Sequence, residues 1–174
     1  MRKLIYSCLS LYRKIRGRFW SRIFRYQCKS SGEKIGVSCF CPISSAAEVS
    51  VGDHFHSNGL RVLGRGKVEI GRYFHSGQNC KIMLGSHDYD GGDAIPYGKK
   101  DTCKSVSIGD FVWLGTDVTI SGNIHIGTGA IVAMGSVVVK DVPDFAIVGG
   151  NPAKVIKYRD IDHFNHLLAE GKFN

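Results

Sequence analysis

The sequence predicts an all-β repeat, a parallel β-helix of hexapeptide units, on three observations. From Ile108 onward an aliphatic residue recurs at every sixth position: Ile108, Leu114, Ile120, Ile126 and Val132. A small residue follows each of them: Gly109, Gly115, Ser121, Gly127 and Ala133. The same register begins upstream, where Ile70-Gly71 is followed twelve residues later by Ile82. A helix of 3.6 residues per turn cannot keep every sixth residue on one face, and strand alternation gives a period of two. A six-residue period with one inward aliphatic per unit is the pattern of a β-helix, in which three units complete a turn of about 18 residues. Each buried Ile or Leu contributes on the order of 1.5–3 kcal/mol. One unit cannot bury its own face, so the coils stabilise one another cooperatively. An Ile120→Asp change would put an unpaired charge into a dry column and unfold the coil.

Residues 1–30 form a separate basic segment. Leu4, Cys8, Leu11, Ile15, Phe19 and Ile23 recur at three- and four-residue steps, the stripe of an amphipathic helix, which Gly17 could divide into two. The apolar part is too short for a membrane span. Arg13-Lys14 stands where a signal peptide would carry small residues. Two roles remain open: packing on its own domain or a neighbouring subunit, or lying on an anionic membrane surface through Phe19 and Trp20.

The β-helix is expected over 31–157. Its first half, 30–85, is irregular. Ile35-Gly36, Val51-Gly52 and Ile70-Gly71 start units, but 51 to 70 is 19 residues, so a bulge or small loop near Arg61–Lys67 is expected. Residues 86–106 break the repeat with the turn-rich run Ser86-His87-Asp88-Tyr89-Asp90-Gly91-Gly92-Asp93. From Ile82 to Ile108 is 26 residues, so an excursion of about 20 residues leaves the coil here. Such loops on a regular scaffold commonly carry function. Val142-Pro143-Asp144-Phe145 closes the repeats, and residues 158–174 end the chain with a helix near Asp160–Glu170.

Composition narrows the function classes. The chain has 174 residues, enough for one domain. Its 22 glycines show no collagen period and suit tight corners. The net charge of +8 is uneven. Nine basic residues and no acid fall within residues 1–32, leaving 14 basic against 15 acidic residues elsewhere. The repeats therefore lack the basic, aromatic-interleaved face of a nucleic-acid binder, and no nucleic-acid partner is expected. The six cysteines (Cys8, Cys28, Cys39, Cys41, Cys80 and Cys103) show no zinc spacing, and Cys39-Phe40-Cys41 alone does not define a metal site. They read as reduced thiols of a cytoplasmic protein.

Several stretches together resemble the hexapeptide-repeat acyltransferases: Ser86-His87-Asp88, residues Val106–Gly115, residues Ala133–Pro143, and Gly149-Gly150-Asn151-Pro152-Ala153-Lys154-Val155-Ile156. Within that family the chain is most similar to the sugar and xenobiotic O-acetyltransferases, polysaccharide O-acetyltransferases among them, over about residues 35–157. The resemblance implies left-handed coils, against the usual right-handed crossover. It also implies acetyl-coenzyme A as co-substrate, no metal, and a homotrimer with sites between subunits. Phe111 and Trp113, taken as outward-facing, would suit such contacts.

Acetyl transfer from a thioester to a hydroxyl needs a base, donors for the developing oxyanion, and two substrates held together. By resemblance His87 is the base, acting by direct attack without an acyl-enzyme. Imidazole is the side chain able to stay neutral and basic at cellular pH. The same resemblance puts Trp113 beside the site and gives the coenzyme groove to Gly115, Thr116, Ala133, Met134, Val139, Lys140 and Lys157. Met134 departs from the small residue usual there. Lys140, with Lys154 or Lys157, would meet phosphates as point charges, or is simply a solvated lysine. Asn58, beside Ser57, corresponds to the acceptor-binding asparagine. Asp88 and Asp93 would bind sugar hydroxyls, orient His87 or only form turns. His54, His56, His75 and His125 are expected on coils, facing solvent or a subunit, with His56 and His75 the two that could come near the site. His163 and His166 are expected on the last helix.

The implied function is O-acetylation of a sugar hydroxyl in surface polysaccharide synthesis, capsule or lipopolysaccharide. The acceptor would be a sugar or lipid-linked oligosaccharide, met in the cytoplasm or at the inner membrane face. Alternatives are N-acetylation of an amino-sugar nucleotide and acetylation of an antibiotic. A catalytically inactive scaffold on the same fold is opposed by the intact His87 and Trp113. Zinc carbonic anhydrases of this fold need histidines five residues apart, and neither residue 82 nor residue 92 is His.

Overall fold

The computed structural model describes residues 2–173, with side chains from Ile5 onward. Leu4 of the expected stripe therefore has its side chain outside the described residues. The architecture is a left-handed parallel β-helix of about six turns with a helix at each end.

The coil is a three-sided prism. Face one stacks Ser30–Ser31, Ala47–Val51, Gly66–Ile70, Asp101–Ile108 and Ile124–Ile126. Face two stacks Gly36–Val37, His56–Ser57, His75–Ser76, Trp113–Leu114, Ile131–Val132 and Ala146–Gly150. Face three stacks Leu60–Leu63, Cys80–Met83, Thr119–Ser121 and Val137–Val138. All of these pairings are parallel. Ala153–Tyr158 turns back antiparallel on Ala146–Gly150 and edges the last coil.

The period of six is a column of buried side chains. Val51, Ile70, Ile108 and Ile126 stack on face one, and Val62, Ile82, Ile120 and Val138 on face three. Leu114 and Val132 continue the second column. All of them are buried. The small residue after each aliphatic is demanded by the next coil. A Cβ on Gly115 would stand 2.6 Å from the Met134 amide nitrogen. In the early coils the second column is polar: Ser76 Oγ donates to Ser57 Oγ at 2.8 Å, and the Gly59 amide donates to Ser57 Oγ at 3.1 Å. The buried hydroxyls are thus partnered, as burial requires. Phe55 and Phe74 supply the volume these serines lack.

The 19-residue offset resolves into two compensating irregularities. Successive inward residues Val51, Ser57, Val62 and Ile70 are six, five and eight positions apart. The corner at Asn58-Gly59 is one residue short, and the corner at Gly64-Arg65 is two residues long, inside the stretch where a bulge was expected. The excursion lengthens its coil by 20 residues: Ile70 pairs with Ile108, 38 positions on, whereas Ile108 pairs with Ile126, 18 positions on. It is shorter than the expected 86–106, because Lys104 already pairs with Gly66 on face one.

The first helix, α1 (Arg2–Gln27), is continuous through Gly17. Glycine is tolerated there because the helix lies against the coil: a Cβ on Gly17 would be 3.7 Å from the Val37 carbonyl oxygen. Ser21 Oγ donates to the Gly17 carbonyl at 2.8 Å and accepts from the Val37 amide at 2.9 Å. Gln27 donates to the Cys41 carbonyl and accepts from the Ile43 amide. Phe24, 1% exposed, stacks on Phe55 at 4.9 Å, and Phe55 stacks on Phe74 at 5.2 Å. The C-terminal half of α1 thus plugs the open end of the prism. The residues that do so are not the predicted stripe. Leu11, Ile15 and Phe19 are 60, 58 and 57% exposed. The stripe faces outward because the plug uses Gly17, Ser21, Phe24 and Gln27.

At the corner between faces one and two, His54, Tyr73, Phe111 and Phe145 all take positive φ near +54 to +59°. His54 stacks on Tyr73 at 4.2 Å and Tyr73 on Phe111 at 5.0 Å. Gly129 interrupts this ladder, and Phe164 lies in the gap, edge-on to Phe111 and Phe145. Phe164 belongs to α2 (Ile161–Ala169), whose N-cap Asp160 accepts from the His163 amide at 2.9 Å. His163 and His166 lie on this helix, as expected. Phe173 then covers Tyr73 and Phe111. Phe111 is therefore occupied by its own chain, and of the expected outward pair only Trp113 projects freely, 55% exposed.

Candidate active site

The excursion leaves the corner between faces three and one as a two-stranded ribbon. Gly85–His87 pairs antiparallel with Asp101–Cys103, so His87 stands directly opposite Asp101. Its Nδ1 lies 2.8 Å from Asp101 Oδ1. A carboxylate only accepts, which assigns the proton to Nδ1 and leaves Nε2 as the free base. The imidazole stacks on Tyr97, with centroids 3.9 Å apart and planes within 9°. The ring is thus held by one hydrogen bond and one stacking partner, with its side chain 54% exposed.

The acids expected to assist do something else. Asp88 accepts from the Gly91 amide at 2.7 Å, and its carbonyl accepts from the Gly98 amide at 2.8 Å, so it forms the turn. Asp93 lies beside Gly98 in the same tip. Neither bonds to His87. Asp101 and Tyr97 were missed. The available signal was the hairpin itself, whose return limb carries an acid opposite the histidine.

Four of the seven groove residues come together. Gly115 and Thr116 turn the corner between faces two and three, and Ala133 and Met134 turn it one coil later. The Gly115 amide donates to the Val132 carbonyl, and the Gly135 amide to the Thr116 carbonyl, at 2.8 and 2.9 Å. Ser136 Oγ braces this turn, donating to the Ala133 carbonyl. Met134, the departure from a small residue, projects into solvent at 74% exposure. Val139 and Lys140 lie beyond face three at the following corner, and Lys157 lies on the edge strand opposite Ile147. The two lysines are exposed.

Asn58 turns the same corner as Gly115, two coils earlier. Its Oδ1 accepts from Ser38 Oγ at 2.8 Å. Its neighbour Ser57 points into the core and is no surface ligand. On the outer side of face two, His56, His75, Trp113 and Ile131 form one row. The His56 and His75 rings are 5.4 Å apart. Burial, and then the neighbouring His75, push the His56 pKa below the ordinary imidazole range. His125 lies on face one and bonds to Ser107 Oγ. Among the described residues no three His, Cys, Asp or Glu side chains converge as a metal-ligand set.

No model of a known protein family matches the chain. Individual proteins do. The Lysinibacillus sphaericus protein named "Probable macrolide acetyltransferase" is 53% identical over 124 residues, which are 60% of this chain and 67% of that one. A chloramphenicol acetyltransferase of Agrobacterium fabrum is 32% identical over 151 residues, 86% of this chain and 64% of that one. A Vibrio cholerae hexapeptide-repeat acetyltransferase, solved with acetyl-coenzyme A, superposes with a TM-score of 0.65 at 28% identity, over 77% of this chain and 73% of that one. A maltose O-acetyltransferase of Clostridium difficile superposes at 0.66 with 26% identity, over 86 and 85% of the two chains. This chain belongs to the hexapeptide-repeat acetyltransferases. It spans 59, 18 and 57% of three further curated acetyltransferases that it matches.

Proposed function

We propose that this protein transfers the acetyl group of acetyl-coenzyme A to a hydroxyl of a sugar, in the assembly of a surface polysaccharide such as capsule or lipopolysaccharide. The observation that carries the chemistry is the His87–Asp101 pair with its Tyr97 stack. Nε2 of His87 takes the acceptor's hydroxyl proton while the oxygen attacks the thioester carbonyl. The tetrahedral intermediate then expels coenzyme A as a thiolate, which recovers the proton from the imidazolium. Asp101 holds the tautomer and steadies the imidazolium. The groove at Gly115, Thr116, Ala133 and Met134 offers backbone groups to the pantetheine arm, and Lys140 and Lys157 meet phosphates.

His87 stands on the corner opposite face two, which carries Trp113, with the prism between them. Catalysis on this reading therefore takes place between copies in a homotrimer, with one chain supplying His87 and its neighbour supplying Trp113 and the groove. Asn58, with Asp93 in the loop tip, would contact the acceptor. The names of the macrolide and chloramphenicol acetyltransferases that the chain resembles favour a second reading, an antibiotic acceptor.

The test is coenzyme A thiol release with sugars, nucleotide sugars, lipid-linked oligosaccharides and antibiotics, each product identified as singly acetylated by mass spectrometry. His87→Ala should cost about 10²–10⁴-fold with the assembly intact. Asp101→Asn should lower kcat more than it raises KM. Full activity of His87→Ala would overturn the mechanism, and acetylation of an antibiotic alone would overturn the sugar acceptor.

A further inference from the structure

The plug at the N-terminal end of the prism uses only one side of α1. At about 100° per residue, Ile15 stands about 180° round the helix from Phe24, and Leu11 and Phe19 about 140° from it. These three side chains, with Ile5 and Tyr12, form an exposed apolar face pointing away from the coil. Arg18 borders this face, and Arg22 lies on it one turn beyond Phe19, about 20° from both Leu11 and Ile15 on the wheel. Lys14, Arg18, Arg22 and Arg25 also line a groove of about 510 Å³ between α1 and the first strand of face two. Among the described residues, none of Arg13, Lys14, Arg16, Arg18, Arg22 and Arg25 makes an ion pair. Residues 1–32 contain no acid that could neutralise them.

We propose that α1 docks the protein on an anionic phospholipid surface, with Leu11, Ile15 and Phe19 entering the headgroup boundary and the flanking arginines meeting lipid phosphates. An exposed apolar stripe bordered by unpaired cations fits a bilayer of negative surface charge on both counts. A second copy of the helix is the poorer occupant, because it would bring the same unneutralised cations face to face. The helix spans nothing: no helix among the described residues is long and apolar enough to cross a membrane. Docking of α1 is independent of the proposed acetyl transfer, since binding is read without any substrate.

The experiment is flotation of the full chain with vesicles of phosphatidylcholine alone and with vesicles containing about a third phosphatidylglycerol. Binding should be at least about tenfold stronger to the anionic vesicles and should weaken as salt rises. Leu11→Ser/Ile15→Ser/Phe19→Ser and Arg18→Glu/Arg22→Glu should each lose about tenfold or more with an unchanged melting midpoint. Equal binding to neutral vesicles, no binding to anionic ones, or full binding by the triple variant would overturn the proposal. A change in assembly mass in the triple variant would instead assign the face to a second copy.

Discussion

Phe24→Ala tests whether α1 is the plug of the core or a detachable appendage. Phe24 is 1% exposed and ends the stack that continues through Phe55 and Phe74. A phenylalanine side chain buries about 150–250 Å². At about 25 cal/mol per Å², truncation to the Cβ removes about 3–5 kcal/mol. Losing the ring stack adds about 0.5–1.5 kcal/mol. The cavity opens at the end of the solenoid, where α1 can settle inward, so about 3–4 kcal/mol is the expected net loss. That is a large part of the roughly 5–15 kcal/mol by which folded domains are stable. Urea unfolding followed by circular dichroism measures it, and the m-value should fall as the first coil frays in the native state. Phe19→Ala, on the outward face, should stay within about 0.5 kcal/mol of the parent. Near-equal losses for the two variants, or a loss below about 1 kcal/mol for Phe24→Ala, would show that the helix does not close the core as described.

Three further outcomes follow from the packing. Because the folded-state pKa of His56 lies below its ordinary 6.5, the unfolded chain binds the proton more readily. The contribution of neutral His56 is complete above pH 6.5 and declines as pH falls through the folded pKa; urea midpoints should therefore drop more steeply on acidification in the parent than in His56→Gln, and parallel curves would refute this. Burial pushes the Cys28 thiol up to about 12 and also raises Cys41 and Cys80. Iodoacetamide mapped by peptide mass should then label Cys8 and Cys103 in the native protein and reach these three only on unfolding. Gly129→Ala would bring a Cβ within 2.7 Å of the Phe145 ring at φ +70°. It should destabilise by about 1–3 kcal/mol and release α2, with faster proteolysis after Arg159; unchanged proteolysis would count against the Phe164 anchor.

The regular coils were legible because their cause is local. Every sixth residue must be apolar to enter the column and the next must be small to let the neighbouring coil pass, so Ile108 to Ala133 announces its own register. The early coils were harder to read because Ser57 and Ser76 replace aliphatics where Phe55 and Phe74 fill the space. The helix was legible as a helix but not in its orientation. Its apolar stripe is the obvious face to bury, yet the opposite face, Gly17, Ser21, Phe24 and Gln27 with a single large apolar side chain, matches the end of the prism. His87 could be singled out from its motif. Its partners, Tyr97 and Asp101, are ten and fourteen residues away and come to it only through the ribbon pairing, so they are found only once the return limb of the hairpin is set in register. Phe111 looked like an interface residue for a similar reason, since its cover comes from Phe164 and Phe173 at the far end of the chain.

The 20-residue excursion enters and leaves at one corner, and Ile70 still pairs with Ile108 as if nothing lay between them. Lengthening such a loop adds little closure free energy, about 0.6 kcal/mol per doubling. The candidate catalytic hairpin is therefore neutral to register: its length and tip can change without moving a single inward aliphatic. On such a scaffold the loop can diverge while the candidate donor groove, built from the backbone of the last coils, stays fixed.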